Sequence, residues 1–235
     1  MKKHTSILVG CEESGTVRDA LIRRGHDAWS CDLRPSRGIH TDKHIQGDIF
    51  EAISSREWSA MIAFPECTYM SNSGAKHLYL GMKKENGRNE DRWQKMEAAA
   101  IFFSRLLHAD IPRIAIENPI MIGHAKKIIG RPQSQIIHPW QHGHGEQKAT
   151  CLWLRGFMEL EPTNIVDGRE QKVWKMAPGP NRRRDRSKTY QGIADAMADQ
   201  WFSDKAVEMH SRVAWSQALK GCTEQYHLER QANDN

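Results

Sequence analysis

Apolar residues recur with two spacings along the 235-residue chain. Short runs at 7–9, 27–31, 45–49, 58–64, 111–116, 135–137 and 150–154 have the length of strands and stop at turn-forming residues. Between the first two, Val17, Leu21 and Ile22 mark one face of a helix over 14–24, with Ser14 placed to cap it and Gly25 to end it. Met96, Ala99, Ala100, Phe103, Leu106 and Leu107 give a strong helix over 93–109, and 190–201 reads as another. This alternation predicts an α/β fold on a mostly parallel sheet. A right-handed crossover through 93–109 brings the carboxyl ends of 58–64 and 111–116 to the same side.

Elsewhere the pattern fades. Residues 72–91 form a charged, glycine-punctuated loop able to cover a site, 120–134 is rich in Gly and His, and 155–189 is irregular and basic. No repeat or linker marks a second domain, so one domain over 1–202 with a polar, partly helical extension over 203–235 is expected. The 39% apolar content and eight Trp favour a folded globule over a disordered binder. A net charge of +5 is compatible with a phosphate-rich partner without establishing one. Five scattered cysteines without a CxxC pair, and no run of 18 apolar residues, point to a reducing cytoplasm and away from membranes.

Ligands of open α/β sheets sit beyond the carboxyl ends of the strands. Gly10, Asp32, Asp48, 65–67 and 117–119 all fall there. The turn Gly-Cys-Glu-Glu-Ser-Gly at 10–15 can approach a ligand closely, and Asp32 can accept from a ribose. Two acids in that turn would repel a pyrophosphate, so a cofactor without phosphates fits better. An ordinary turn and a solvated Asp32 remain equally open. Cys67, in Pro65-Glu66-Cys67, is presented by a rigid turn from which a thiolate can attack an electron-poor carbon. Glu117 can protonate a ring nitrogen of the same substrate, and Asn118 can orient that acid. An unreactive Cys67 and a loop-capping Glu117 are the plainer alternative. His138, His142, His144 and Glu146, and the pair His40 and His44, have the composition of a metal site. The intervening glycines suggest a turn instead, so no metal is expected; this loop should pack near the crevice or touch nucleic acid through its imidazoles and Trp140.

Pro65-Glu66-Cys67-Thr68-Tyr69-Met70-Ser71 resembles the catalytic proline-cysteine loop of the cytosine carbon-5 DNA methyltransferases. Glu117-Asn118-Pro119, fifty residues on, resembles their Glu-Asn-Val/Pro element. The run CEESGTVRDALIRRGHDAWSCDL, with IPRIAIENPI, KATCLWL and YQGIADAMADQW, is similar to small DNA methylase-like proteins of bacteriophages and prophages. The resemblance spans about 5–202 and implies a Rossmann-like seven-stranded sheet of the S-adenosylmethionine-dependent type. It implies a cofactor site at Gly10, Cys11, Glu12, Gly15, Asp32, Leu33, Asp48, Ile49 and Pro65, with Asp32 on the ribose and Asp48 on the adenine edge. It implies addition of Cys67 to carbon-6 of a cytosine while Glu117 engages nitrogen-3, with Asn118 beside them. The partner implied is DNA, double-stranded, with the base flipped out of the stack. Ser71, Lys148, Arg182, Arg183, Arg184 and Arg186 are its expected contacts, with Arg88 and Arg92 as second candidates.

Glu66 departs from the family's usual second proline and places an acid beside the thiol. Only 155–189 stands where classical members carry a recognition domain, which implies short or relaxed target specificity. A cofactor-binding protein with Cys67 idle, and an enzyme acting on RNA or a free nucleotide, are the rival readings.

Overall fold

A computed structural model describes residues 6–171, 179, 186 and 188–203. Seven strands form one sheet: β1 (Ser6–Gly10), β2 (Ala28–Asp32), β3 (His44–Gln46), β4 (Trp58–Ala63), β5 (Arg113–Asn118), β6 (Gln135–Ile137) and β7 (Thr150–Arg155). Their order is β3-β2-β1-β4-β5-β7-β6, and β7 alone runs antiparallel to its neighbours. This is the mostly parallel sheet that the strand pattern implied, in the seven-stranded Rossmann-like form that the resemblance implied. Among the described residues no helix is long and apolar enough to cross a membrane.

The helices are α1 (Thr16–Arg23), α2 (Ile49–Ser54), α3 (Glu90–Leu107), α4 (Gly123–Ile129) and α5 (Gln191–Phe202). Strand residues alternate between two buried layers. Ile7, Val9, Ile62 and Ala115 face α1 and α5, whereas Leu8, Met61, Ala63, Ile114 and Ile116 face α2, α3 and α4. On α3, Trp93, Met96, Ala100, Phe103 and Leu107 are the buried stripe, and Asn89 caps it through a bond from Arg92 N. That cap starts α3 three residues earlier than the apolar spacing indicated.

Four further expectations are corrected. Strand β3 ends at Gln46, and Ile49 belongs to α2, because the Asp48 carboxylate accepts from Phe50 N and Glu51 N and opens a helix. Ser14 shares the capping of α1 with Glu12: Ser14 Oγ accepts from Thr16 N at 3.3 Å, and the Glu12 carboxylate accepts from Val17 N at 2.7 Å and Arg18 N at 3.3 Å. Residues 123–129, to which the apolar pattern assigned no element, form a helix. The span 72–86 holds three 3-10 turns, the first docked on α3 through Trp93 Nε1 to Leu78 O.

Candidate active site

The ends of β4 and β5 are joined by hydrogen bonds between the two segments that follow them. Asn118 Nδ2 donates to Pro65 O at 2.9 Å, Asn72 N to Ile120 O at 2.8 Å and Ile122 N to Met70 O at 2.8 Å. A bridge between Ser71 and Met121 completes this seam. The turn carrying the thiol is closed by Met70 N and Ser71 N, which both donate to Cys67 O. From α3, Arg92 braces the turn, with its guanidinium 4.5 Å over the Tyr69 ring as well as on Thr68 O.

Glu117 lies inside β5, paired with Leu152, rather than past its end. It shares a strand face with Ala115, toward α5, while Asn118 faces the other way. Asn118 therefore positions the Pro65 backbone, and its buried Oδ1 has no hydrogen-bond partner among the described residues. Because β7 runs antiparallel to β5, its first residues meet the last residues of β5, and Lys148 arrives beside Glu117 from a segment thirty residues further on. A shallow cleft, with about 10 Å³ of enclosed space, is lined by Phe64, Glu117, Lys148, Thr150, Tyr190 and Ile193 among others.

Charge couples these groups. Burial pushes the Glu117 carboxyl above the usual carboxylate range, and Lys148 pulls it back. Burial likewise pushes the Cys67 thiol up; the Glu117 carboxylate adds to this and Lys148 opposes it. Glu66 is exposed and the smallest of the influences on that thiol. Lys148 Nζ donates to Arg186 O at 3.1 Å and lies 5.8 Å from the centre of the Tyr190 ring. The Tyr190 hydroxyl donates to the Glu146 carboxylate, and burial is the main reason its own acidity is suppressed.

A second group gathers at the ends of β1 and β2. Cys11, with φ of 56°, has its thiol pushed up to about 12, by burial first and then by Asp32, Cys31 and Asp48. Both acids therefore lie near enough to Cys11 for their charge to act on its thiol. Leu33 is 75% exposed beside Asp32, so an apolar side chain and a carboxylate stand side by side at this strand end. The close approach expected at the two glycines is to the protein itself. A Cβ on Gly10 would lie 2.8 Å from Ile49 Cδ1, and one on Gly15 would lie 2.4 Å from Arg18 Nη2. Glu12 is turned inward as the α1 cap, and Glu13 pairs with Arg37 at 2.7 Å and Arg34 at 3.6 Å. Carboxylate acceptors beside apolar surface, with these basic groups already paired, fit the nucleoside and sulfonium of S-adenosylmethionine better than a dinucleotide.

Arg182, Arg183 and Arg184 lie outside the described residues. Arg88 stacks on Trp93 at 4.2 Å, and Arg92 braces the thiol turn, so both have structural partners. The histidine loop packs on α5: Gly192 N donates to His144 Nε2 at 3.0 Å, and His142 Nδ1 meets Thr163 Oγ1 at 3.1 Å. Among the described residues no three His, Cys, Asp or Glu side chains converge as a metal site requires. Tyr190, Glu146 and Arg18 were not legible in the sequence, since their roles come from contacts across 44 positions for Tyr190 to Glu146 and 12 to 18 for Arg18 to its two serines.

No family model and no curated protein matches this chain. Solved structures similar to it include a candidate DNA modification methyltransferase encoded within an E. coli prophage. That match has 11% identity, covers 74% of this chain and 55% of the other, and has a TM-score of 0.41. The Entamoeba histolytica methyltransferase EhMeth matches at 14% identity, 77% and 62% coverage and a TM-score of 0.42. A DNMT2 variant from Spodoptera frugiperda matches at 13%, 71% and 54%, and 0.37. The chain spans between 54% and 62% of the length of these structures. Likeness this distant says nothing of chemistry, which rests on the residues at the strand ends.

Proposed function

We propose that this chain transfers a methyl group from S-adenosylmethionine to carbon-5 of a cytosine in DNA, through a transient bond between Cys67 Sγ and carbon-6. The observation that carries this reading is the hydrogen-bonded seam joining the Cys67 turn to the Glu117 strand end, with Glu117 and Lys148 both influencing the thiol and Lys148 the acid.

Burial raises the Glu117 carboxyl pKa and so favours its protonated form, whose proton can be shared with nitrogen-3 of the ring. The ring then draws electrons from carbon-6. Cys67 loses its proton and forms the sulfur–carbon-6 bond, and the electron pair of the 5,6 double bond becomes available at carbon-5. When bound, S-adenosylmethionine supplies a methyl group on positively charged sulfur. Asp32, Asp48 and Leu33 would hold its nucleoside, and Phe64 and Ile193 keep the cleft beside the acid apolar. After carbon-5 has been methylated, loss of its proton and departure of Cys67 Sγ restore the ring. Lys148 favours the thiolate and limits the rise in the Glu117 pKa, so it balances two opposing requirements. A stacked base cannot reach this cleft, so the cytosine must leave the duplex. The basic stretch at 182–186 is proposed to hold the flanking phosphates, together with Ser71 at the thiol turn.

The test is base-resolved methylation mapping of DNA from cells expressing the wild type or Cys67→Ser. The reading predicts 5-methylcytosine in the first and none above background in the second. Equal methylation by both, or methylation confined to RNA or dCMP in a parallel assay, overturns it.

A further inference from the structure

The geometry points to Arg18 as a positioning residue for the methyl donor: buried beneath the strand ends, its guanidinium fixes the end of β2, which carries Asp32, and the loop after it, which begins at Leu33. This inference rests on the cofactor site proposed above. Arg18 is fully buried on α1, an expensive place for a guanidinium unless most of its donors are used. Its Nε donates to Asp19 Oδ1 at 2.9 Å, and Nη2 lies 2.8 Å from the same oxygen. Its Nη1 donates to Ser30 Oγ on β2 at 2.8 Å and to Ser36 Oγ, in the loop after β2, at 2.9 Å. One cation thus ties α1, β2 and the loop together.

The surrounding sequence is built to admit that cation. A Cβ on Gly15 would sit 2.4 Å from Arg18 Nη2, and one on Gly38 would sit 2.2 Å from it. Two backbone segments therefore close on the guanidinium from α1 and from the loop, and neither tolerates a side chain. Asp19 extends the clamp, since its Oδ2 accepts from Ile39 N at 2.8 Å. Ser30 Oγ also meets His44 Nδ1 at 2.8 Å, and His44 Nε2 donates to Arg34 O at 2.9 Å. The loop over 33–39 is held at Arg34, Ser36 and Ile39 by contacts that converge on the Arg18–Asp19 pair. None of these residues needs to touch the methyl donor to set its affinity, because mobility of the loop would cost order on binding.

Ser36→Ala removes the loop's side of the clamp and leaves the buried ion pair in place. The full chain is compared with wild type by amide hydrogen exchange without ligand, by calorimetric binding of S-adenosylhomocysteine, and by methyl transfer at saturating donor. The expected result is about tenfold faster exchange at Gly38 and Ile39 and several-fold weaker binding, with full transfer at saturation. Arg18→Lys, which keeps the charge and loses the fork, should weaken binding further. Unchanged affinity in Ser36→Ala, whatever the exchange shows, overturns the inference, as does a loss of transfer that saturating donor does not restore. A wild type that binds no S-adenosylhomocysteine overturns the cofactor site itself, which separates that failure from failure of the clamp.

Discussion

At the residue scale, the Cys67 thiol is held back by burial and by Glu117, and helped by Lys148. These influences predict opposite changes in thiol reactivity from two substitutions. In the free protein, Glu117→Gln should speed alkylation of Cys67 by iodoacetamide at pH 8, and Lys148→Met should slow it, each about two- to tenfold. Both should lower methyl transfer, Glu117→Gln by at least about a hundredfold, because the proton on the ring is lost although the thiolate is gained. Peptide mass spectrometry of the alkylated thiol checks the first pair, and slower alkylation in Glu117→Gln would show that the acid and thiol are not coupled. Cys67 and Glu117 were legible because each sits in a short motif whose order and spacing carry meaning. The turn at Gly15 was legible as a glycine requirement but not as to its cause, which is a guanidinium folded back from three residues along α1.

At the scale of elements, all seven strands could be read from short apolar runs; for the inner strands burial on both faces leaves a nearly continuous apolar signal, whereas the edge strands β3 and β6 are only partly buried. The two missed helices are the shortest, with six residues in α2 and seven in α4. Neither is long enough to display a helical period, and each depends on its caps and on packing against α3 and the sheet. Glu12 gives one pH prediction at this scale. Burial pushes its carboxyl from 4.5 up to about 7, against the pull of the Val17 and Arg18 amides and the Arg18 charge. Between those values the native state binds more protons than the unfolded chain, so stability falls as pH rises through the window, by at most about 3 kcal/mol. Urea unfolding at pH 5 and pH 8 should show that loss in wild type and a smaller one in Glu12→Gln; identical slopes would contradict it. Gly192 gives another, because a Cβ there would lie 1.9 Å from His142 O. Gly192→Ala should cost at least about 2 kcal/mol by separating α5 from the histidine loop, measured by the same unfolding experiment.

For the whole molecule, one sheet places the carboxylates of Asp32 and Asp48 near the ends of β2 and β3, where the nucleoside is proposed to sit, and the Cys67 thiol and Glu117 acid at β4 and β5, along the same carboxyl edge. The reversal of β7 is what adds Lys148 to that edge, and no local pattern in the sequence announces it. If 182–186 meets phosphates, replacing its arginines by Gln should flatten the salt dependence of DNA binding, by about 0.9 in the log–log slope for each phosphate no longer neutralised. The most direct measurement of the central claim is intact-protein mass spectrometry after incubation with S-adenosylmethionine and a duplex carrying 5-fluorocytosine, whose fluorine cannot leave as the carbon-5 proton does. A covalent protein–DNA adduct mapped to Cys67, and absent in Cys67→Ser, is the predicted result; methyl transfer without any adduct, or an adduct at another residue, would contradict it.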